Sequence, residues 1–232
     1  GTLTAISCAD AVVTFLGFFN YHGNDFVEIV LDDRGNRGLL GVQDIAMYMS
    51  QAYVSLSVYG KSSGGIHYYG TAIMRSGMTS ASNEATAVLD KAHPPSHSSV
   101  AVHPLASAVF VLANRDNGDT RVYIYRCTLS LDSCSLQSAI SDRLFPSAGI
   151  AGSKLVFAAR NTDDNRLYFH SCSLAGTGCT GRDVSGGVVV SSSMSSSLQV
   201  DTTSSQVVIA STTADGSTYL TKCSYSGTSC TH

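Results

Sequence analysis

The sequence predicts an all-β protein made of one repeated antiparallel unit. Three observations predict it. Two cysteines with a short polar turn between them recur as CTLSLDSCS from Cys127, CSLAGTGCT from Cys172 and CSYSGTSCT from Cys223. Five longer segments each carry a β-branched and aromatic run, a polar turn and a second such run. No stretch of the chain shows the 3.6-residue apolar period of an amphipathic helix.

The five segments are read first. They are AVVTFLGFFNYHGNDFVEIVL from Ala11, AYVSLSVYGKSSGGIHYYGTAI from Ala52, AVFVLANRDNGDTRVYIYRC from Ala108, KLVFAARNTDDNRLYFHSC from Lys154 and QVVIASTTADGSTYLTKC from Gln206. Each turn is rich in Gly, Asn and Asp, so each segment predicts a β-hairpin. A short apolar segment precedes each hairpin: LTAI from Leu3, DIAMYM from Asp44, VAVH from Val100, SAGIA from Ser147 and LQVD from Leu198. A further strand follows: RGLLGVQ from Arg37, EATAVL from Glu84, SLQSAIS from Ser135 and TGRDVS from Thr180.

Four antiparallel strands in about fifty residues resemble a blade of a β-propeller. The resemblance covers the whole chain. It implies an all-β β-propeller of about five four-stranded antiparallel blades in a single domain, with blades near 1–43, 44–97, 98–145, 146–194 and 195–232. Blades of this kind bury both faces against their neighbours. Their middle strands then read as near-continuous apolar runs, as VFVLA and LVFAA do. A β-sandwich is the alternative architecture, but it does not require one pattern to recur five times. The chain reaches CTH where the last outer strand is due, so the expectation is a three-stranded last blade or a longer parent chain. It begins with Gly1 rather than Met, as a processed product does.

Each cysteine pair straddles the turn between third and fourth strands. Facing residues of an antiparallel pair lie about 4.5–5.5 Å apart at Cα, within the range a disulfide accepts. The expected bridges are Cys127–Cys134, Cys172–Cys179 and Cys223–Cys230, pinning the outermost hairpin of each blade. Zinc and redox pairs favour tighter spacings. Cys8 is the odd cysteine, expected to be buried and inert, or bridged to another chain.

Composition narrows the function classes. Charged residues make up 13% of the 232, and the net charge is −3. No cluster of Lys and Arg is present to bind phosphates, which excludes nucleic acid as a partner. No apolar run is long enough to span a bilayer as a helix. Low charge, abundant Ser and Thr and paired cysteines predict an extracellular or cell-surface protein. There is no N-x-[ST] sequon. SSSMSSS at 191–197 reads as a polar inter-strand loop, with O-linked sugar as the alternative.

Candidate chemistry is sparse. GKSSG, Gly60–Gly64, matches a nucleophile pattern, but that mechanism needs a strand-to-helix elbow, so Ser62 is read as a turn residue. Asp116, Asp119, Asp163 and Asp164 gather oxygen atoms in two turns. They are weak calcium candidates, because tight hairpins need the same residues. Calcium is the one cofactor entertained, and no other metal site is expected. HPPSH holds His93 and His97 in a linker that its prolines make rigid and exposed. His103 and Asp201 end innermost strands and are candidates for a central channel. Ile6 and Met47 hold the equivalent places, so no ring of matching groups is expected.

Glycoside hydrolysis needs paired carboxylates. The two glutamates, Glu28 and Glu84, fall off the innermost strands, and there is no Trp for sugar stacking. The sequence therefore predicts a non-enzymatic binding or assembly module, with a lectin as the alternative and a glycoside hydrolase behind it. A lectin would use Tyr68, Tyr69, Tyr123, Tyr125, Tyr168 or Tyr219 as platforms, although these third-strand residues are expected to pack between blades. The expected binding face comprises the hairpin turns and the 90–99 linker, with His22, Asn24, Asp25, Lys61, His93, His97, Asp116, Asp119, Asp163, Asp164 and Asp215. Its partners would be other proteins, extracellular glycans or further copies of the chain.

Overall fold

The structure, a computed structural model, describes residues 37–49, 51–61, 67–77, 83–103, 106–191 and 196–232. They form four sheets, each of four antiparallel strands in sequence order. The first contains β1 (Arg37–Tyr48), β2 (Gln51–Lys61), β3 (His67–Gly77) and β4 (Asn83–Asp90). The second contains β5 (Pro95–His103), β6 (Ala108–Arg115), β7 (Val122–Thr128) and β8 (Cys134–Ile140). The third contains β9 (Arg143–Ala151), β10 (Lys154–Asn161), β11 (Leu167–Cys172) and β12 (Thr180–Asp183). The fourth contains β13 (Ser197–Asp201), β14 (Gln206–Thr212), β15 (Thr218–Ser224) and β16 (Cys230–Thr231). This is the architecture of β-propeller repeats.

Successive residues of a strand point to opposite faces. On β6, Val109, Val111 and Ala113 enter a core shared with Tyr53 and Ile73 of the first sheet. Ala108, Phe110 and Leu112 enter another core, shared with Leu155, Phe157 and Ala159 of the third sheet. On β10, the alternate residues Val156 and Ala158 meet Leu198, Val207 and Ile209 of the fourth sheet. The cores thus lie between sheets, and β6 and β10 serve two cores each. That is why their sequences are apolar without alternation. Burying a side chain such as Phe157, which is 0% exposed, contributes about 1.5–3 kcal/mol.

Two details correct the expected strand assignment. RGLLGVQ is not a strand separate from DIAMY; among the described residues the two run on as the single strand β1, paired with β2. Register shifts at Leu39/Gly41 and Val42/Asp44 let this long strand stay paired with β2. The last sheet is not three-stranded, because Cys223 and Lys222 pair with Cys230 and Thr231. The first predicted unit up to residue 36, with Cys8, His22, Asn24, Asp25 and Glu28, lies outside the described residues. So does Ser62.

The bridges Cys127–Cys134, Cys172–Cys179 and Cys223–Cys230 are formed, with Cα separations of 4.1, 4.0 and 4.1 Å. They do more than pin an exposed edge. Cys127, Cys172 and Cys223 are each 1% exposed and belong to the inter-sheet cores. The enclosed turns also tuck against the preceding sheet. A Cβ on Gly227, whose φ is +68°, would lie 2.5 Å from the Phe169 ring. A Cβ on Gly176, at φ +78°, would press on Gln137 at 3.0 Å. Three disulfides mark a chain suited to an oxidising environment. Among the described residues no helix is long and apolar enough to cross a membrane.

One buried ionisable group sits within this packing. His170 of β11 stacks on Phe157, with centroids 4.6 Å apart. Its Nε2 accepts a hydrogen bond of 2.9 Å from Arg143 Nε. Gly181 of β12 leaves room for the ring, since a Cβ there would lie 2.3 Å from it. Burial, helped by the Arg143 charge, pushes the imidazole down to about 3.

Two predictions follow from the packing. Replacing Cys172 and Cys179 together by serine removes the entropic constraint of a short loop, worth about 2–3 kcal/mol. Calorimetry should show a midpoint lower by roughly 5–10 °C; an unchanged midpoint would show that the turn is ordered without its bridge. The second concerns His170. It is neutral in the folded chain down to about pH 3, whereas the unfolded chain takes up the proton below about pH 6.5. The unfolded state therefore binds more protons in that window, and stability present above pH 6.5 is lost as pH falls towards 3. Urea unfolding at pH 7.5 and pH 4.5 should show a drop in wild type about 2–3 kcal/mol larger than in His170→Gln; equal drops would remove His170 as the source.

Candidate functional site, a polar cleft between the innermost strands

The innermost strands β1, β5, β9 and β13 belong to different sheets and share no ladder. Side chains join them instead. Asp44 Oδ2 accepts from Val100 N at 2.8 Å and from Ser99 Oγ at 2.8 Å, linking β1 to β5. Ser99 Oγ in turn accepts from Ala148 N at 3.0 Å, linking β5 to β9. Ser147 Oγ accepts from Leu198 N at 2.9 Å, linking β9 to β13. The motif repeats: a short polar side chain on one strand caps a backbone N–H on the next. Gly149 permits the close approach of β9 to β13, since a Cβ there would lie 2.9 Å from Leu198 and Val200.

These strands line a cleft of about 440 Å³. All four contribute: Gln43 to Ile45, His97 to Val100, Pro146 to Ile150, and Ser196 to Val200. Its volume falls within the range of small-molecule sites, roughly 300–1,000 Å³. Asp44 is the one carboxylate among the described lining residues. Its Oδ1 also accepts from Ile45 N at 2.8 Å. Three donors therefore engage a group with about four acceptor positions, leaving one on Oδ1. Ser196 is 7% exposed, and its Oγ has no hydrogen-bond partner among the described residues. Ser147 keeps its own hydroxyl proton to donate. His97 packs edge-on against Phe145 at 5.7 Å. Burial holds its imidazole below the ordinary range, against the pull of Asp44 and a hydrogen bond to the Pro146 carbonyl.

The structure redistributes the residues expected to carry function. His97 is not in an exposed linker; it lies on β5 and faces the cleft. His103 and Asp201 do not reach the cleft wall. His103 is 4% exposed and accepts from Ala106 N at 3.0 Å. Asp201 is exposed and holds its own turn through Thr203 N and Ser204 Oγ. A column of small polar residues stands at another position of these strands, three or four residues before Met47, His103 and Asp201. Aligning DI, SV, SA and SL puts Asp44, Ser99, Ser147 and Ser197 in one register position, opposite Ser55, Leu112, Ala158 and Ala210. A small polar residue before an apolar one was the available signal.

The turn residues lie elsewhere. Lys61 ends β2. Asp116 and Asp163 are exposed. Asp119 accepts from Tyr123 Oη at 2.6 Å and Arg121 N at 3.0 Å. Slight burial works upward on Asp119, but those bonds hold its carboxyl below the usual range. Asp164 accepts from Arg166 N at 3.0 Å, and Asp215 accepts from Thr213 Oγ1 and Ser217 N. These carboxylates thus close their own turns. Among the described residues no group of three or more His, Cys, Asp or Glu is placed to hold a metal.

His93 belongs to a second network at the first linker. Its Nδ1 lies 3.3 Å from Asp90, which also pairs with Arg115 at 2.9 Å. The Arg115 guanidinium covers the Tyr123 ring at 3.8 Å. Tyr123 and Tyr125 are buried between sheets, Tyr168 lies under Arg143 at 4.1 Å, and Tyr219 stacks on His232 at 5.4 Å. Tyr68 and Tyr69 are on β3.

No protein-family model matches the sequence, and no curated protein matches it. Solved structures do. The putative TolB from Agrobacterium tumefaciens aligns with a TM-score of 0.50 and 13% identity, covering 85% of this chain and 64% of that one. The exo-β-1,3-galactanase from Phanerochaete chrysosporium aligns with a TM-score of 0.49 and 10% identity, covering 95% and 66%. A GH43 β-1,3-galactosidase aligns with a TM-score of 0.47 and 10% identity, covering 91% and 77%. This chain thus spans just under two thirds of the first two. At such identities the likeness is one of fold. It still corrects the expectation of a non-enzymatic module: the solved structures that share this architecture include glycan-cleaving enzymes, so the architecture lends a non-enzymatic reading no support. Four successive four-stranded sheets with their inner strands around one cleft make this chain a β-propeller repeat protein.

Proposed function

We propose that this chain is a carbohydrate-active β-propeller that takes a saccharide in the cleft between its innermost strands. The observation that carries the reading is the state of the wall. Among the described residues, Asp44 keeps an acceptor position, Ser147 keeps a proton, and Ser196 Oγ is buried without a partner. A buried polar atom without a partner costs about 1–3 kcal/mol. A sugar hydroxyl donates and accepts at once, so it satisfies such a mixed set of groups. Apolar wall residues, Ile45, Ile150 and Val200 among them, suit the C–H faces of a pyranose. The disulfides and the weakly charged composition support a secreted or surface-exposed setting, where glycans are met.

The wall also defines what catalysis would require. Glycosidic cleavage uses two carboxylates about 5–10 Å apart, and Asp44 is the candidate for one of them. Its hydrogen bonds from Ile45 N, Val100 N and Ser99 Oγ fix it in place.

A glycan array followed by calorimetric titration tests the reading. Wild type should show saturable binding to at least one oligosaccharide. Asp44→Asn and Ser196→Ala should weaken it by about tenfold and severalfold, in keeping with one charged and one neutral hydrogen bond. Assay of reducing ends on the bound glycan then separates retention from cleavage. An array blank across all classes of saccharide would end the proposal.

A further inference from the structure

We infer that the cleft selects uncharged saccharides and excludes acidic ones, an inference that rests on the saccharide reading of this site. Asp44 carries the only formal charge among the described lining residues at neutral pH, and neither Lys nor Arg is among them. His97 does not supply a compensating cation. Its ring is bonded to the Pro146 carbonyl, and burial keeps it neutral. Arg160 lies 5.6 Å from the Phe145 ring, beside Pro146, but it donates to Asn165 and is not part of the wall.

A uronate or sulfate group entering this space would lose water and gain no cation. It would also approach the Asp44 carboxylate, whose oxygens already accept three hydrogen bonds from the protein. Unpaired burial of a charge and like-charge repulsion both oppose it. A neutral sugar meets neither penalty, because its hydroxyls donate to the spare position on Asp44 and exchange bonds with Ser147 and Ser196. The wall also lacks any Trp, Tyr or Phe ring among its described residues. Hydrogen bonds and charge, rather than ring stacking, therefore decide what enters.

Matched pairs test this: a neutral galacto-oligosaccharide against the galacturono-oligosaccharide of equal length and linkage, and a neutral disaccharide that the array identifies against its 6-sulfate. Titration at pH 7 should show the neutral member binding at least tenfold more tightly. Ser197→Lys places a cation on an exposed position of the wall and disturbs none of the links between strands. It should raise affinity for the acidic member about tenfold while circular dichroism stays unchanged. Equal or tighter binding of the acidic members by wild type would overturn the charge selection and leave the saccharide reading standing. So would a folded Ser197→Lys protein with no gain for the acidic members. Failure of every neutral and acidic member to bind would overturn the saccharide reading itself.

Discussion

The structure depends on the two-sided burial of its middle strands. β6 and β10 each send alternate residues into different cores, so neither has a face that water can cover cheaply. A single four-stranded sheet with Val109, Phe110, Val111 and Leu112 in its centre would expose apolar rows on both sides. Stability is therefore a property of neighbouring sheets stacked together, as in other repeat architectures. The bridges and their tucked glycines extend this dependence to the outer edge, where the Phe169 ring of the preceding sheet fits against the turn only because Gly227 carries no Cβ.

Near the axis the same principle fails, and a different one takes over. Innermost strands of separate sheets approach without pairing, so backbone donors there need partners. Asp44, Ser99 and Ser147 supply them, one sheet reaching to the next. The links that join the repeats thus also make the cleft polar. The joining of sheets and the polarity of the cleft wall coincide in the same side chains, and Asp44 is the clearest case: it ties two sheets and faces the cleft.

Much of the fold was legible in the sequence, because two-sided burial writes itself as runs such as VFVLA and LVFAA. The cysteine pairs were legible too, since a short polar turn between facing residues leaves little choice of partner. The continuity of β1 was not, because the register shifts at Gly41 and Asp44 break the apolar pattern without breaking the strand. The site was harder. His103 and Asp201 attract attention as ionisable residues at strand ends, whereas the polar column along the cleft consists mostly of serine, a residue that this composition scatters everywhere. Ser99 acquires meaning only from Asp44 and Ala148, which lie 55 and 49 residues away in sequence. His97 was hidden by its prolines: HPPSH reads as a rigid loop, but Pro95 begins β5, where the missing N–H is tolerated at a strand end.

The local pairing of the cysteines bears on biogenesis. Each bridge joins residues seven apart within one sheet, so every pair leaves the ribosome and meets its oxidant together. Such short loops close quickly, and for each of the six bridged cysteines the nearest thiol in sequence is its partner. A chain of this kind has little use for an isomerase to sort crossed linkages between repeats, and its maturation can proceed one sheet at a time in the order of synthesis.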